Sequence, residues 1–300
     1  MLTLTLAPST SQVYRRAWSL CQECMQELGL SFITIQNLPM STSLVLTYLS
    51  YLNIKGLAPS TITTYISAIS FVHKMNSLPD PTNLFVVQKL LAAINKMQGN
   101  RDSRLPITQF ILNRLLESTE FVVSNQYHKK LIRAMFALAF YGLFRIGEIT
   151  IQTSGVIPLT FEQVQLLEDR LVLSITHFKN NKSNKPFDIV IHKIGGKFCP
   201  FAIMLDYLNV RGNLSGPLFC FVNQKHVPRN FFTSKLKSCL NFCGLNTKLY
   251  LSHSFRIGGA SFLASLGMSD VQIKLMGRWS SDTFLRYIRN QRFQIVKKLY

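Results

Sequence analysis

The sequence predicts a mainly α-helical protein of two domains. A bundle of four helices comes first, then a mixed, mostly helical domain with one small antiparallel β-sheet. Three observations predict this. Apolar residues recur every three or four positions through most of the chain, as helices with one buried face require. A polar, apolar-poor stretch, Gln98-Gly-Asn-Arg-Asp-Ser-Arg104 followed by Leu-Pro106, interrupts the pattern and reads as a linker. One later segment, beginning at Arg170, switches to β-branched and aromatic residues around a polar turn. A chain of 300 residues also suits two compact domains better than one, here 1–100 and 101–300.

The elements follow in order. Tyr14, Trp18, Cys21, Met25 and Leu28 share one helix face, and Gly29 stops the run. Leu44, Tyr48, Leu49 and Leu52 mark a second helix ending near Gly56. Pro59-Ser60-Thr61 opens a third, which carries Ile62, Tyr65, Ile66, Ile69 and Val72. A fourth runs from about Leu84 to Met97. Beyond the linker, helices are expected over 108–118 and 126–143. Arg170 to Phe178 and Phe187 to Ile191 form a β-hairpin with a basic, polar tip. Helical spacing resumes at Phe201 and continues almost to the end. Ser269-Asp-Val-Gln272 is a capping box that starts a helix at Asp270, with Gly277 as its C′ stop. Another helix can begin near Ser281-Asp282 and would carry Phe284, Tyr287 and Ile288.

Composition narrows the partner. There are 33 Lys+Arg against 14 Asp+Glu, a formal net charge of +19. A field of that sign favours a polyanion, of which nucleic acid is the commonest. A membrane is the rival, yet the longest apolar run, Ala134 to Phe144, is far shorter than the roughly 20 residues a span needs, and Arg145 closes it. The N-terminus lacks the charged region of a secretory signal, so a soluble, intracellular, non-secreted protein is expected. Hydrophobic residues make up 47%, too many for a disordered chain. Of six cysteines, Cys21 and Cys24 stand one helical turn apart, as do Cys239 and Cys243. Thiolate pairs can hold zinc, but no histidine lies at finger spacing beside them, and buried free thiols in a reducing compartment are the expectation. A Walker-type phosphate loop and an acidic triad for two-metal cleavage are both lacking, which agrees with a chemistry that uses no metal and no cofactor.

The residues that can carry chemistry lie in the second domain. His253 and Arg256, three apart on a helix, present an imidazole and a forked cation on one face. Arg145 ends an apolar helix, with Glu148 three residues on to orient it or merely to pair with it. Lys179 closes the first strand of the hairpin, where Lys182 and Lys185 compete for any role it has. Trp279 and Tyr287, taken singly, read as packing residues.

Taken in order, however, Arg-x-x-Glu, hairpin Lys, His-x-x-Arg, Gly-x-Trp and Tyr form a pattern that resembles the tyrosine recombinase (phage integrase) family over nearly the whole chain. Residues 57–72 look like that family's N-terminal core-binding (SAM-like) helical domain, a DNA clamp. Ser252-His-Ser-Phe-Arg-Ile-Gly-Gly-Ala260 is the most specific match. The stretch from Met276 to Arg289 is similar in style to eukaryotic mobile-element recombinases. The resemblance implies a catalytic domain over 101–300 that cuts and rejoins DNA through a 3′-phosphotyrosine in site-specific recombination or integration. It implies that Arg145 and Arg256 hold the scissile phosphate, with Glu148 supporting Arg145. Lys179 would protonate the leaving 5′ oxygen, His253 would assist proton transfer at the tyrosine, and Trp279 would donate its indole N–H to the phosphate. Tyr287 would be the nucleophile. It lies eight residues after Trp279 but nine after Arg278, so Arg278 competes for the indole's role. The implied partner is double-stranded DNA, bound by a homo-tetramer assembled on it from free monomers or weak dimers, in the nucleus if the host is eukaryotic. Two other readings are a domesticated DNA-binding protein without turnover and a type IB topoisomerase-like relaxing enzyme.

Overall fold

The computed structural model describes the chain outside residues 1–5, 31–37, 98–102, 152–157, 179–180, 182–184, 286–287 and 289–300. It divides into two compact units, Met1–Asp102 and Ser103–Tyr300.

The first unit contains α1 (Pro8–Glu27), α2 (Thr42–Ile54), α3 (Pro59–Met75) and α4 (Phe85–Met97), with a 3-10 turn at Pro81–Asn83. Proline in the first turn starts α1 and α3, where its missing N–H is no loss. Ser41 caps α2 by accepting the Leu44 N–H at 3.3 Å. Met25, Tyr48, Leu49, Leu52, Ile62 and Ile69 fill one core. The buried Tyr48 hydroxyl donates to the Ala17 carbonyl at 2.6 Å. Cys21 and Cys24 lie in this core as free thiols, and burial pushes the Cys21 thiol up to about 12.

Asp80 ties α3 to the turn before α4. Its carboxylate accepts from the Ser70 hydroxyl at 2.6 Å, from the Thr82 N–H at 3.0 Å and hydroxyl at 2.7 Å, and from the Asn83 amide at 3.0 Å, and it pairs with Lys74 at 3.3 Å. Burial alone would raise its pKa, but the Ser70 and Thr82 donors and Lys74 outweigh it and hold the carboxyl below its ordinary value. A depressed folded-state pKa gives stability that is present above the unfolded value and lost as pH falls through the folded one. Asp80→Ala is therefore expected to lower stability at pH 7 by at least about 2 kcal/mol, and the loss should shrink below pH 4. Urea unfolding of both proteins at several pH values checks this.

The second unit runs α5 (Gln109–Val122), α6 (Gln126–Tyr141), α7 (Ile146–Ile149), β1 (Val164–Leu166), β2 (Arg170–Ile175), β3 (Phe187–His192), α8 (Pro200–Arg211), α9 (Arg229–Phe242), α10 (Ser252–Ser265) and α11 (Asp270–Met276), then a 3-10 turn at Asp282–Phe284. The sheet is antiparallel in the order β1-β2-β3, with Leu173 opposite Ile189. Leu171, Leu173 and Ile175 point into the core in the alternation expected of a half-buried strand. α6 is buried on nearly every side from Leu131 onward and forms the centre of the unit. Most of the chain's excess positive charge also belongs to this unit. No helix among the described residues is long and apolar enough to cross a membrane.

Two glycines let α10 meet its neighbours backbone to backbone. A Cβ at Gly258 would stand 1.7 Å from the Ile107 carbonyl oxygen, and one at Gly259 would stand 2.2 Å from the Phe140 carbonyl oxygen. Ile107 is itself held there, since its N–H donates to the Ser254 carbonyl at 3.0 Å and the Leu105 N–H donates to Leu249 at 2.8 Å. This close approach carries Arg256 up to the turn that follows α6.

Three local expectations are revised. β1 is a third strand that three residues without apolar alternation did not signal. Gly277 is not the left-handed stop of α11: its φ is −79°. Arg278 takes that conformation, with φ at 54°. The Trp279 N–H closes the motif on the Lys274 carbonyl at 3.1 Å. Glycine is needed at 277 for space, because a Cβ there would lie 1.7 Å from the Trp279 ring. Finally, the segment after Ser281 opens as a 3-10 turn, with Leu285 and Ile288 helical beyond it.

Candidate active site

Arg145 is not on the long helix. α6 ends at Tyr141, Gly142 to Phe144 make a turn with Leu143 at φ 50°, and Arg145 then caps the four-residue α7. Glu148 at the third position of α7 reaches back to it. The Arg145 N–H donates to Glu148 Oε2 at 2.9 Å and its Nη1 donates to Oε1 at 2.9 Å. Arg145 Nη2 donates to the Arg278 carbonyl at 3.3 Å, across 133 residues of sequence.

Arg256, on α10, is 1% exposed. Its Nη1 donates to the Leu143 carbonyl and its Nη2 to the Gly277 carbonyl. Its guanidinium lies 4.2 Å from the Trp279 ring centroid. Trp279 in turn stacks on Phe284 with 5.4 Å between centroids. Leu143, Ile273, Phe284 and Ile288 form the small core beneath this corner, with Trp279 packed against it. His253 is half-buried one turn before Arg256 on α10.

Arg278 is the least expected member. Its side chain is 1% exposed, and its Nη2 pairs with Glu148 Oε2 at 2.7 Å. The same nitrogen donates to the Leu143 carbonyl at 3.3 Å, and Nη1 donates to Met276 at 3.2 Å. Three arginines thus surround one buried carboxylate. Burial pushes the Glu148 carboxyl up, but Arg278, then Arg145, pull it further down, so it stays ionised and below the ordinary carboxylate value.

Of the seven residues singled out in the sequence, Arg145, Glu148, Arg256 and Trp279 are linked by direct contacts, through the carbonyls of Leu143, Gly277 and Arg278, into one cluster. Lys179 and Tyr287 lie outside the described residues. A cavity of about 250 Å³ joins Glu148 to Ile175, Thr176 and His177 at the end of β2, the strand that leads to Lys179. Leu143 offered no sequence signal, because it contributes a backbone oxygen. For Arg278 the only signal was its nine-residue spacing to Tyr287.

The chain is thus a helical unit followed by a mostly helical one with a three-stranded sheet, with an arginine-rich corner assembled from α7, α10 and the turn after α11. No family model matches the chain. It is similar to the Cre recombinase of Escherichia phage P1, at 22% identity over 270 residues, covering 81% of this chain and 74% of that protein. The crystal structure of XerH site-specific recombinase bound to palindromic difH substrate in a post-cleavage complex superposes with a TM-score of 0.68 at 15% identity, covering 95% of this chain and 78% of that one. A lambda integrase dimer bound to a core site gives a TM-score of 0.58 at 12% identity, covering 90% and 70%. The chain shares its fold with these recombinase and integrase structures and is similar to Cre over most of its length.

Proposed function

We propose that the chain cuts and rejoins double-stranded DNA through a covalent 3′-phosphotyrosine at Tyr287, in site-specific recombination or integration. The observation that carries this is the convergence of Arg145, Arg256 and Trp279 on one corner, with Ile288, the residue after Tyr287, buried in the core beneath it.

A phosphodiester is anionic and repels nucleophiles. Guanidinium forks neutralise it and stabilise the charge that gathers on its non-bridging oxygens in the transition state. Arg145, with 25% of its side chain exposed, is the accessible fork. Arg256 is held by neutral carbonyls and a ring face, and it meets phosphate by exchanging one of those carbonyl bonds. A phenol has a pKa of about 10, so its proton must leave during attack. His253 takes it, and Lys179 protonates the departing 5′ oxygen. The phosphotyrosine preserves the bond energy, and a second 5′ hydroxyl reverses the step on another strand, so no nucleotide cofactor enters. Remaining basic residues of the second unit contact phosphates, giving affinity that falls steeply with salt. The first unit is the second jaw of a clamp on the duplex, over roughly 1–100, and four copies assemble on two duplexes. The enzyme acts wherever its DNA is held.

Trapping the adduct on nicked duplex DNA and mapping the modified peptide tests the reading. A nucleotide-linked Tyr287 is expected; tight binding with no adduct on any duplex would instead favour a DNA-binding protein without turnover. Arg145→Ala is expected to slow adduct formation by about 10²–10³-fold at saturating DNA. Single-turnover kinetics reads that loss separately from affinity.

A further inference from the structure

We propose that Arg278 is a positioning residue: its guanidinium is the internal counter-ion of Glu148, sets Arg145 through that carboxylate, and does not itself hold the phosphate. The inference rests on the reading of this corner as a phosphodiester-transfer site.

The geometry is a closed loop. Arg145 Nη1 donates to Glu148 Oε1, Glu148 Oε2 accepts from Arg278 Nη2, and the Arg278 carbonyl accepts from Arg145 Nη2. Arg278 thus touches Arg145's station twice, by side chain and by backbone. Its left-handed backbone, at φ 54°, turns its carbonyl and its side chain toward the same partner pair. The rings of Phe144 and Phe178, at 4.9 and 5.9 Å, wall the guanidinium in.

Arg256 and Arg278 are both buried, yet they differ in what holds them. Arg256 sits on neutral carbonyls, and giving one up for a phosphate oxygen leaves no uncompensated charge in the interior. Arg278 sits on a buried carboxylate, and parting such a pair leaves an uncompensated charge in the interior. Charge balance agrees. Once Arg278 neutralises Glu148, Arg145 and Arg256 remain to face a phosphodiester that gains negative charge as it is attacked. The routes left to a direct contact are Arg278 Nε–H, which is buried and has no acceptor among the described residues, and Nη1, which rests on the neutral Met276 carbonyl at 3.2 Å. Trp279, competing for the same assignment, then serves as the face on which Arg256 rests.

The two assignments give opposite epistasis. Single-turnover adduct formation on nicked DNA would be measured for Arg278→Met, Glu148→Gln and the double variant, each at saturating DNA, with DNA affinity and Tm recorded for all. If Arg278 acts through Glu148, Arg278→Met loses about 100-fold in rate with affinity kept. The double variant then recovers at least about 10-fold over Arg278→Met, because glutamine still accepts from Arg145 and no unpaired carboxylate is left behind. If the losses multiply instead, Arg278 works independently of Glu148 as a direct ligand and the proposal is overturned. Should Arg278→Met fail to fold, Arg278→Lys decides. Lysine keeps a charge for Glu148 but has no Nε–H in place, so a rate within about 10-fold of wild type supports the counter-ion role, and a loss as deep as that of Arg145→Ala overturns it. A wild-type protein that never forms an adduct defeats the reading of the whole site, whereas a wild-type adduct with multiplicative losses defeats only the role of Arg278.

Discussion

Replacing Tyr287 with phenylalanine should abolish covalent complexes on nicked DNA, lowering their rate of formation by at least about 10⁴-fold. The change removes one oxygen and leaves the ring, so the packing of the neighbouring Ile288 against Leu143 and Phe284 is retained. On the proposed reading the phenol serves bond making and not binding, so DNA affinity should stay within about 2-fold. Tyr300→Phe, near the end of the same tail, should form the adduct at the wild-type rate. Denaturing gels of the trapped complex separate the outcomes directly. Equal trapping by both variants would remove Tyr287 as the nucleophile and leave the arginine corner without its attacking group.

The largest loss of stability is expected at Gly258, where alanine should cost about 3 kcal/mol. The added methyl would meet the Ile107 carbonyl at 1.7 Å, and that carbonyl cannot retreat freely because the N–H of the same residue is bonded to Ser254 and the Leu105 N–H, two residues earlier, to Leu249. α10 must shift instead, and it carries Arg256 with it. In a unit of this size the change should lower Tm by about 6–12 °C. The adduct rate should fall even well below the new Tm, because displacing Arg256 by about 1 Å is enough to spoil its fit to phosphate. Thermal melts paired with single-turnover rates at low temperature check both parts. A variant that melts normally would show that α10 and Ile107 separate without loss.

Much of the fold was legible because local chemistry and burial agree. The proline start at Pro59, the capping box of Ser269 and Gln272, and the three- and four-residue apolar spacing all set helices where the sequence placed them. The short β1 was not legible, since three half-exposed residues acquire strand geometry only by pairing with β2. Of the residues named from the family resemblance, Arg145, Glu148, Arg256 and Trp279 meet in one cluster. What could not be read was contributed by the backbone or by long-range closure. Leu143 takes part through its carbonyl and its unusual φ, neither of which depends on its being leucine. Spacing left Arg278 as a rival phosphate donor and could not show its bond to Glu148, 130 residues earlier. Gly258 and Gly259 stood in plain view inside a recognisable motif, yet their reason is the proximity of Ile107 and Phe140, visible only in three dimensions.

The two carbonyls that Arg256 spans belong to separate turns, one after α6 and one after α11. Only a planar group with two diverging donors can bridge them. A lysine at 256 would bring the same charge but a single tip, reaching one oxygen and losing the bond to the other. Conservation of charge at that position is therefore no safeguard: the two turns are stitched by shape, and a swap that looks mild on paper would unpick the seam.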